Sequence, residues 1–95
     1  MIERHLTFNV HPGRTEEFER FFAASYGPRM AEAPGFVRVE LLRELDAPTR
    51  YQMVLRWADP ESAAGWRTSE VHAALLPALG ELHSGMEVAA YQVVE

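Results

Sequence analysis

Four stretches of this 95-residue chain alternate apolar and polar side chains with period two, and the stretches between them repeat at helical spacing. In residues 2–10, Ile2, Leu6, Phe8 and Val10 share one face, while His5, Thr7 and Asn9 share the other. Pro12 and Gly13 end this strand. Thr15 can cap a helix, and Glu16 and Glu17 suit its positive N-terminal end. Phe18, Phe21, Phe22 and Tyr26 then follow at helical spacing. The helix is expected to reach the low thirties, bent or broken at Gly27-Pro28.

"APGF" (33–36) reads as a turn and "FVRVELLREL" as a second strand, with Val37, Val39 and Leu41 opposite Phe36 and Leu42. "DAPT" (46–49) reads as a hairpin loop. "RYQMVLRW" is the third strand, with Tyr51, Met53, Leu55 and Trp57 on one face. Asp59-Pro60 starts a short helix that carries Trp66. Thr68 or Ser69 can cap a further helix, "SEVHAALLPALGEL", with Val71, Leu75, Leu79 and Leu82 as its apolar stripe. Gly85 ends it, and "MEVAAYQVV" is the last strand.

The order is β-α-β-β-α-β. It predicts one α+β domain over residues 1–95, ferredoxin-like, with a four-stranded antiparallel sheet and helices on one face. The second and fourth strands read as apolar on both faces; in the last, Met86, Val88 and Val94 oppose Ala89, Tyr91 and Val93. An apolar sheet face without helices needs cover. A homodimer packed sheet against sheet supplies it.

Composition narrows the function. With 14 acidic and 9 basic residues the net charge is −5, so there is no basic footprint for nucleic acid or an anionic membrane. The absence of cysteine removes disulfides, thiolate metal sites and cysteine nucleophiles. No run approaches the ~20 apolar residues of a membrane span, and the N-terminus is a strand pattern rather than a signal peptide. A cytoplasmic protein is expected. Histidines 5, 11, 72 and 83 show no metal spacing. There is no phosphate loop and no nucleophile elbow.

The candidates for chemistry gather after the third strand. Trp57 ends that strand and Trp66 lies on the next helix, so both can fill the core or wall a pocket between helix and sheet. Gly65 beside Trp66 favours a pocket, since a helical glycine costs about 1 kcal/mol relative to alanine. If Ser69 caps the following helix, His72 falls in its first turn, where the helix field favours the neutral imidazole; a half-exposed surface histidine is the plainer alternative. His5, Thr7 and Asn9 either border solvent or project into a wet cavity. Tyr26 and Tyr51 can place hydroxyls in a cavity or pack in the core or at an interface.

"PGF" (34–36), "LLR" (41–43), "YQMVLRW" (51–57) and "WRTS" (66–69) stand in the order and spacing of the antibiotic biosynthesis monooxygenase-like family, which this chain resembles from residue 2 to 94. The resemblance implies a dimeric α+β barrel formed by two ferredoxin-like subunits. It also implies either of two activities. Cofactor-free members oxidise aromatic polyketides to quinones with molecular oxygen; IsdG-type members degrade haem. Trp57 and Trp66 resemble the tryptophan pair of the haem-degrading branch. Two positions depart from it: Leu75 and Leu76 stand where its haem-ligating histidine falls, and Asn9 is out of register with its first-strand asparagine.

For the cofactor-free branch the resemblance implies that Trp66 stacks on a planar phenolic substrate, His72 acts as base or hydrogen-bond partner, and Asn9 orients the substrate. Trp57, Tyr26 and His5 would line the binding site. No metal and no cofactor are expected, with haem as the alternative. A non-catalytic dimeric module binding a small apolar ligand is the reading from a different class.

Overall fold

The alternation of residues 2–10 becomes β1 (Ile2–Val10), the central partner of two other strands. The computed structural model describes residues 1–94; residue 95, the last of the expected domain, lies outside the described residues. After β1 come α1 (Thr15–Phe21), a π-helical turn (Phe22–Tyr26) and α2 (Gly27–Ala31), then β2 (Phe36–Glu44) and β3 (Ala47–Trp57). The chain ends with α3 (Pro60–Arg67), α4 (Glu70–Leu82) and β4 (His83–Gln92). The strands order as β2-β3-β1-β4, all pairs antiparallel. This is the ferredoxin-like α+β arrangement.

Register decides what each face does. β1 sets Leu6 opposite Met53 and Phe8 opposite Tyr51, and the helices cover that face. Phe8, Tyr51, Met53, Leu55 and Trp57 are each at most 1% exposed there. Burial of one such side chain contributes about 1.5–3 kcal/mol. The other face carries Glu3, His5 and Thr7 of β1 beside Gln52, Val54 and Arg56 of β3. It has no helix over it.

Four expectations need correction. The first helix is not broken at Gly27-Pro28; it runs on through the π turn, in which the Gly27 N–H donates to the Phe22 carbonyl. Proline offers no N–H and crowds the carbonyl four residues back, and a widened turn absorbs both defects. Thr15 is the first helical residue, not the cap; Arg14 precedes the helix and makes no side-chain cap bond. β3 begins at Ala47, so the hairpin turn is shorter than "DAPT" implied. β4 begins at His83, directly after α4, so Gly85 lies inside a strand.

A fifth correction concerns the open face, which is not greasy. A register shift between Phe36 and Arg38 puts Phe36 on the core side with Val39 and Leu41 and leaves Val37 exposed. Met86 and Val88 pair with Phe8 and Leu6, so they belong to the helix side, at an edge the helices leave partly uncovered. The open face keeps Leu42, Val54 and Tyr91 among ion-paired residues. Among the described residues, no helix is long and apolar enough to cross a membrane.

Candidate active site

Trp66 is placed by two short-range devices. Asp59 caps α3 by accepting the Ser62 N–H at 2.8 Å, with Pro60 in the first turn. The Gly35 carbonyl accepts the Ala58 N–H at 2.8 Å, tying the turn before β2 to the turn before α3. The helix therefore returns over the sheet with Trp66 inward and 3% exposed. The Trp66 indole lies 6.4 Å from Trp57 at 28°, and meets Tyr26 at 6.0 Å and His72 at 5.2 Å edge to face.

Ser69 starts α4 and accepts the His72 N–H at 3.1 Å, which fixes His72 in the first turn. The His72 Nδ1 sits 3.1 Å from the Arg67 carbonyl. A carbonyl only accepts, so Nδ1 carries the proton in this bond and Nε2 keeps its lone pair. Burial pushes the imidazole below its ordinary value; the Arg67 carbonyl opposes this, and the charges of Arg4 and Arg67 reinforce it. The ring is neutral at pH 7, with one tautomer held and a free acceptor.

His72, Tyr26 and Trp66 line one cavity of about 210 Å³, roofed by α4 and floored by Leu6 and Leu55. Tyr26 comes from the π turn, and burial in this apolar setting pushes its phenol upward. It is a hydrogen-bond donor at neutral pH. Leu76 and Met86, 44% and 48% exposed, stand among the lining residues on the outer side. On the far side of Trp66 a groove of about 660 Å³ runs past Asp59, Ser62, Gly65 and Val71. A Cβ at Gly65 would meet nothing within 4 Å, so packing does not demand this glycine.

The residues singled out from sequence divide in two. Trp66, His72 and Tyr26 come together. Trp57 is fully buried behind Trp66, and its Nε1 has no hydrogen-bond partner among the described residues. His5 and Asn9 are not brought to the cavity: odd positions of β1 point away from the face of Leu6 and Phe8. His5 Nε2 instead lies 2.7 Å from Glu3 on the open face, and Asn9 is exposed. Val71, expected in the apolar stripe of α4, is 40% exposed at the groove.

Four lining residues escaped sequence reasoning: Arg4, Arg67, Met86 and His83. For Arg4 the signal was present. It occupies an even position of β1, between Ile2 and Leu6, where an ionised side chain is out of place without a purpose. Among the described residues, no group of three or more histidine, cysteine, aspartate or glutamate side chains stands close enough to hold a metal ion.

This architecture has known counterparts. The crystal structure of SnoaB, a cofactor-independent oxygenase from Streptomyces nogalater, superposes with a TM-score of 0.88 at 29% identity, covering 99% of this chain and 93% of that one. A Bordetella bronchiseptica protein, provisionally named an antibiotic biosynthesis monooxygenase, matches at 28% identity and a TM-score of 0.88, over 99% of this chain and 97% of that one. A conserved protein from Methanosarcina mazei Go1 shares the fold at 21% identity, with a TM-score of 0.86 over 96% of this chain and 90% of that one. No curated protein matches the chain. The sequence profile of the antibiotic biosynthesis monooxygenases matches residues 1–78. With most of its length matched in sequence and its whole fold matched in structure, this chain belongs to the antibiotic biosynthesis monooxygenase family.

Proposed function

We propose that the cavity beside Trp66 is the active site of a cofactor-independent oxygenase that converts a planar phenolic substrate to a quinone. The observation that carries this reading is His72: neutral, tautomer-locked by Arg67, and 5.2 Å from the Trp66 indole at an apolar cavity. The similarity to SnoaB, described as a cofactor-independent oxygenase, supports it.

The chemistry asks little of the protein. For an anthrone-type substrate, His72 Nε2 takes a proton, leaving an electron-rich carbanion conjugated with the phenolate ring. The carbanion transfers an electron to oxygen and the resulting radicals combine. With a proton returned by His72, the product is a hydroperoxide on the former CH₂ carbon. Loss of water leaves a carbonyl. In sum, CH₂ and O₂ become C=O and H₂O. Trp66 supplies a flat wall. Tyr26, held protonated, donates a hydrogen bond to the oxygen on which negative charge develops. The apolar lining excludes bulk water. Orientation of the substrate, expected of Asn9, passes to Tyr26 in this reading.

The test is oxygen uptake with a dihydroxyanthrone in metal-free buffer. His72→Ala should lower kcat/KM by about 10²–10⁴, the usual worth of a positioned acid–base group, and Trp66→Phe should raise KM. Uptake unchanged in both variants sinks the assignment. The haem reading is less well supported. Leu75 packs against the core where the haem branch places its ligand. Haemin should give no sharp Soret shift. An extended ring system also requires Leu76 and Met86 to swing outward.

A homodimer joined through the open sheet face belongs to the same proposal. Leu42 and Tyr91, 47% and 51% exposed, lie on that face, and the family resemblance implies the same arrangement.

A further inference from the structure

We infer that Arg4, assisted by Arg67, seats a carboxylate carried by the aromatic substrate, and so determines which ring systems the cavity accepts. The inference rests on the oxygenase reading for the ring that reacts, but the anion seat itself does not require turnover.

All nine basic residues of the chain are arginines. Three of them are half-buried: Arg4, Arg14 and Arg56. Arg14 grips Glu17 with two bonds of 2.9 and 3.0 Å, and Arg56 binds Glu3 with bonds of 2.7 and 3.0 Å. Arg4 makes no ion pair and no side-chain hydrogen bond among the described residues. A guanidinium taken partly out of water is costly unless its donors are satisfied. Here the surroundings add to the cost. Arg67, a second cation with no ion pair among the described residues, lines the same cavity, and burial, with the Arg67 charge adding to it, weakens the hold of Arg4 on its proton.

Strand geometry explains why no carboxylate answers. Glu3 is the adjacent residue, yet it points to the opposite face, where Arg56 and His5 occupy it. In a chain of net charge −5, two unpaired arginines therefore converge on one cavity beside the proposed base. A planar carboxylate matches the fork of a guanidinium. An anion bound there would also relieve the repulsion between Arg4 and Arg67. Burial and both cations disfavour imidazolium, which keeps His72 available as the base.

Two probes and two readouts separate this inference from the oxygenase reading. Oxygen uptake is measured with a dihydroxyanthrone and with the same anthrone bearing a ring carboxyl group. The wild type should prefer the carboxylated probe. Arg4→Met, which keeps length but removes charge, should cut kcat/KM for it by about ten- to a hundredfold, mostly through KM, the range of a lost charged hydrogen bond. The neutral anthrone should lose much less, because for it the substitution acts only through the His72 imidazole, whose midpoint rises when a neighbouring cation is removed. Arg4→Lys should recover only part of the preference, since it cannot present a fork. If Arg4→Met is insoluble, Arg4→Gln takes its place. Binding is read independently by quenching of tryptophan fluorescence with anthraquinone carboxylate and with plain anthraquinone, neither of which reacts. If neither anthrone consumes oxygen but the carboxylate still binds more tightly in an Arg4-dependent way, the oxygenase reading falls and the anion seat stands. Equal loss for both probes in Arg4→Met, or no preference in the wild type, overturns the seat.

Discussion

Replacing Gly35 by alanine tests whether the turn before β2 holds α3, and with it Trp66, in place. Gly35 has φ of +80°, and a Cβ there would lie 2.0 Å from Ser62 Oγ and 2.3 Å from Ser62 Cβ. The hydroxyl can rotate away; the Cβ cannot, because it is fixed to α3. Two costs follow. The left-handed conformation costs an L-residue about 1–2 kcal/mol. Forcing α3 to yield costs about 1–3 kcal/mol, as for other overpacked sites. The sum, about 3.5 kcal/mol in the middle of its range, lowers Tm by roughly 14–28 °C in a domain of this size. Gly13→Ala is the control, since Gly13 has φ of +85° but nothing within 4 Å of a Cβ. It should show the conformational cost alone, offset by about 0.4–1 kcal/mol from a less flexible unfolded chain. Urea unfolding followed by tryptophan fluorescence measures both. Adding Ser62→Gly to Gly35→Ala should restore about 1–3 kcal/mol, the usual coupling of touching residues. The Asp59 cap survives that change because it uses the backbone N–H of residue 62. If Gly35→Ala costs no more than Gly13→Ala, or if Ser62→Gly rescues nothing, the contact between the turn and α3 is not what holds them.

For the dihydroxyanthrone, kcat/KM should rise with pH through a midpoint below the ordinary 6.5 of histidine and stay flat to neutrality, since burial and the two arginines lower the His72 pKa; Arg67→Ala should move that midpoint upward, and a downward move would contradict the electrostatic account. The same depressed pKa means that the stability His72 contributes is present above the unfolded-state value of about 6.5 and is lost as pH falls through the folded-state value. Sedimentation at micromolar concentration should give twice the 10.8 kDa of one chain, and Leu42→Glu should shift it toward monomer. A stable wild-type monomer would remove the sheet-to-sheet pairing.

The strands and their faces were legible because period-two alternation is a physical consequence of one-sided burial: Leu6, Phe8 and Val10 name their face without help from any other element. The helix starts at Asp59 and Ser69 were legible for a similar reason, since each cap is a local bond to an N–H three residues on. Bulges were not. The shift that moves Val37 off the face of Val39 depends on pairing with β3, which sequence periodicity cannot register. Nor was the π turn, where Pro28 looked like a break and the helix instead widened around it. For the site, helical spacing and capping brought out Trp66 and His72. Asn9 and His5 were drawn to it by their chemistry, although the alternation that placed Leu6 inside already placed both of them outside.

The same alternation accounts for the division of labour between the two sheet faces. On the open face Glu3 holds Arg56 and His5, and these contacts keep its carboxyl below the usual range. Arg38 stands 3.8 Å from the same carboxylate and 3.5 Å from Glu40. Apart from Glu87, charges there are answered within one chain, so a second copy can dock while supplying few counter-ions, and Leu42 and Tyr91 give it apolar contact. Across the sheet the balance reverses. One residue along the strand from Glu3, Arg4 faces a cavity that offers it a phenol, a neutral imidazole and another cation, but no acid. A protein can leave a surface arginine unpaired at little cost because water answers it. A half-buried one beside a cavity is different: the charge it lacks has to enter with whatever fills the space. The electrostatically closed face suits a permanent partner, and the electrostatically open one suits a ligand that comes and goes.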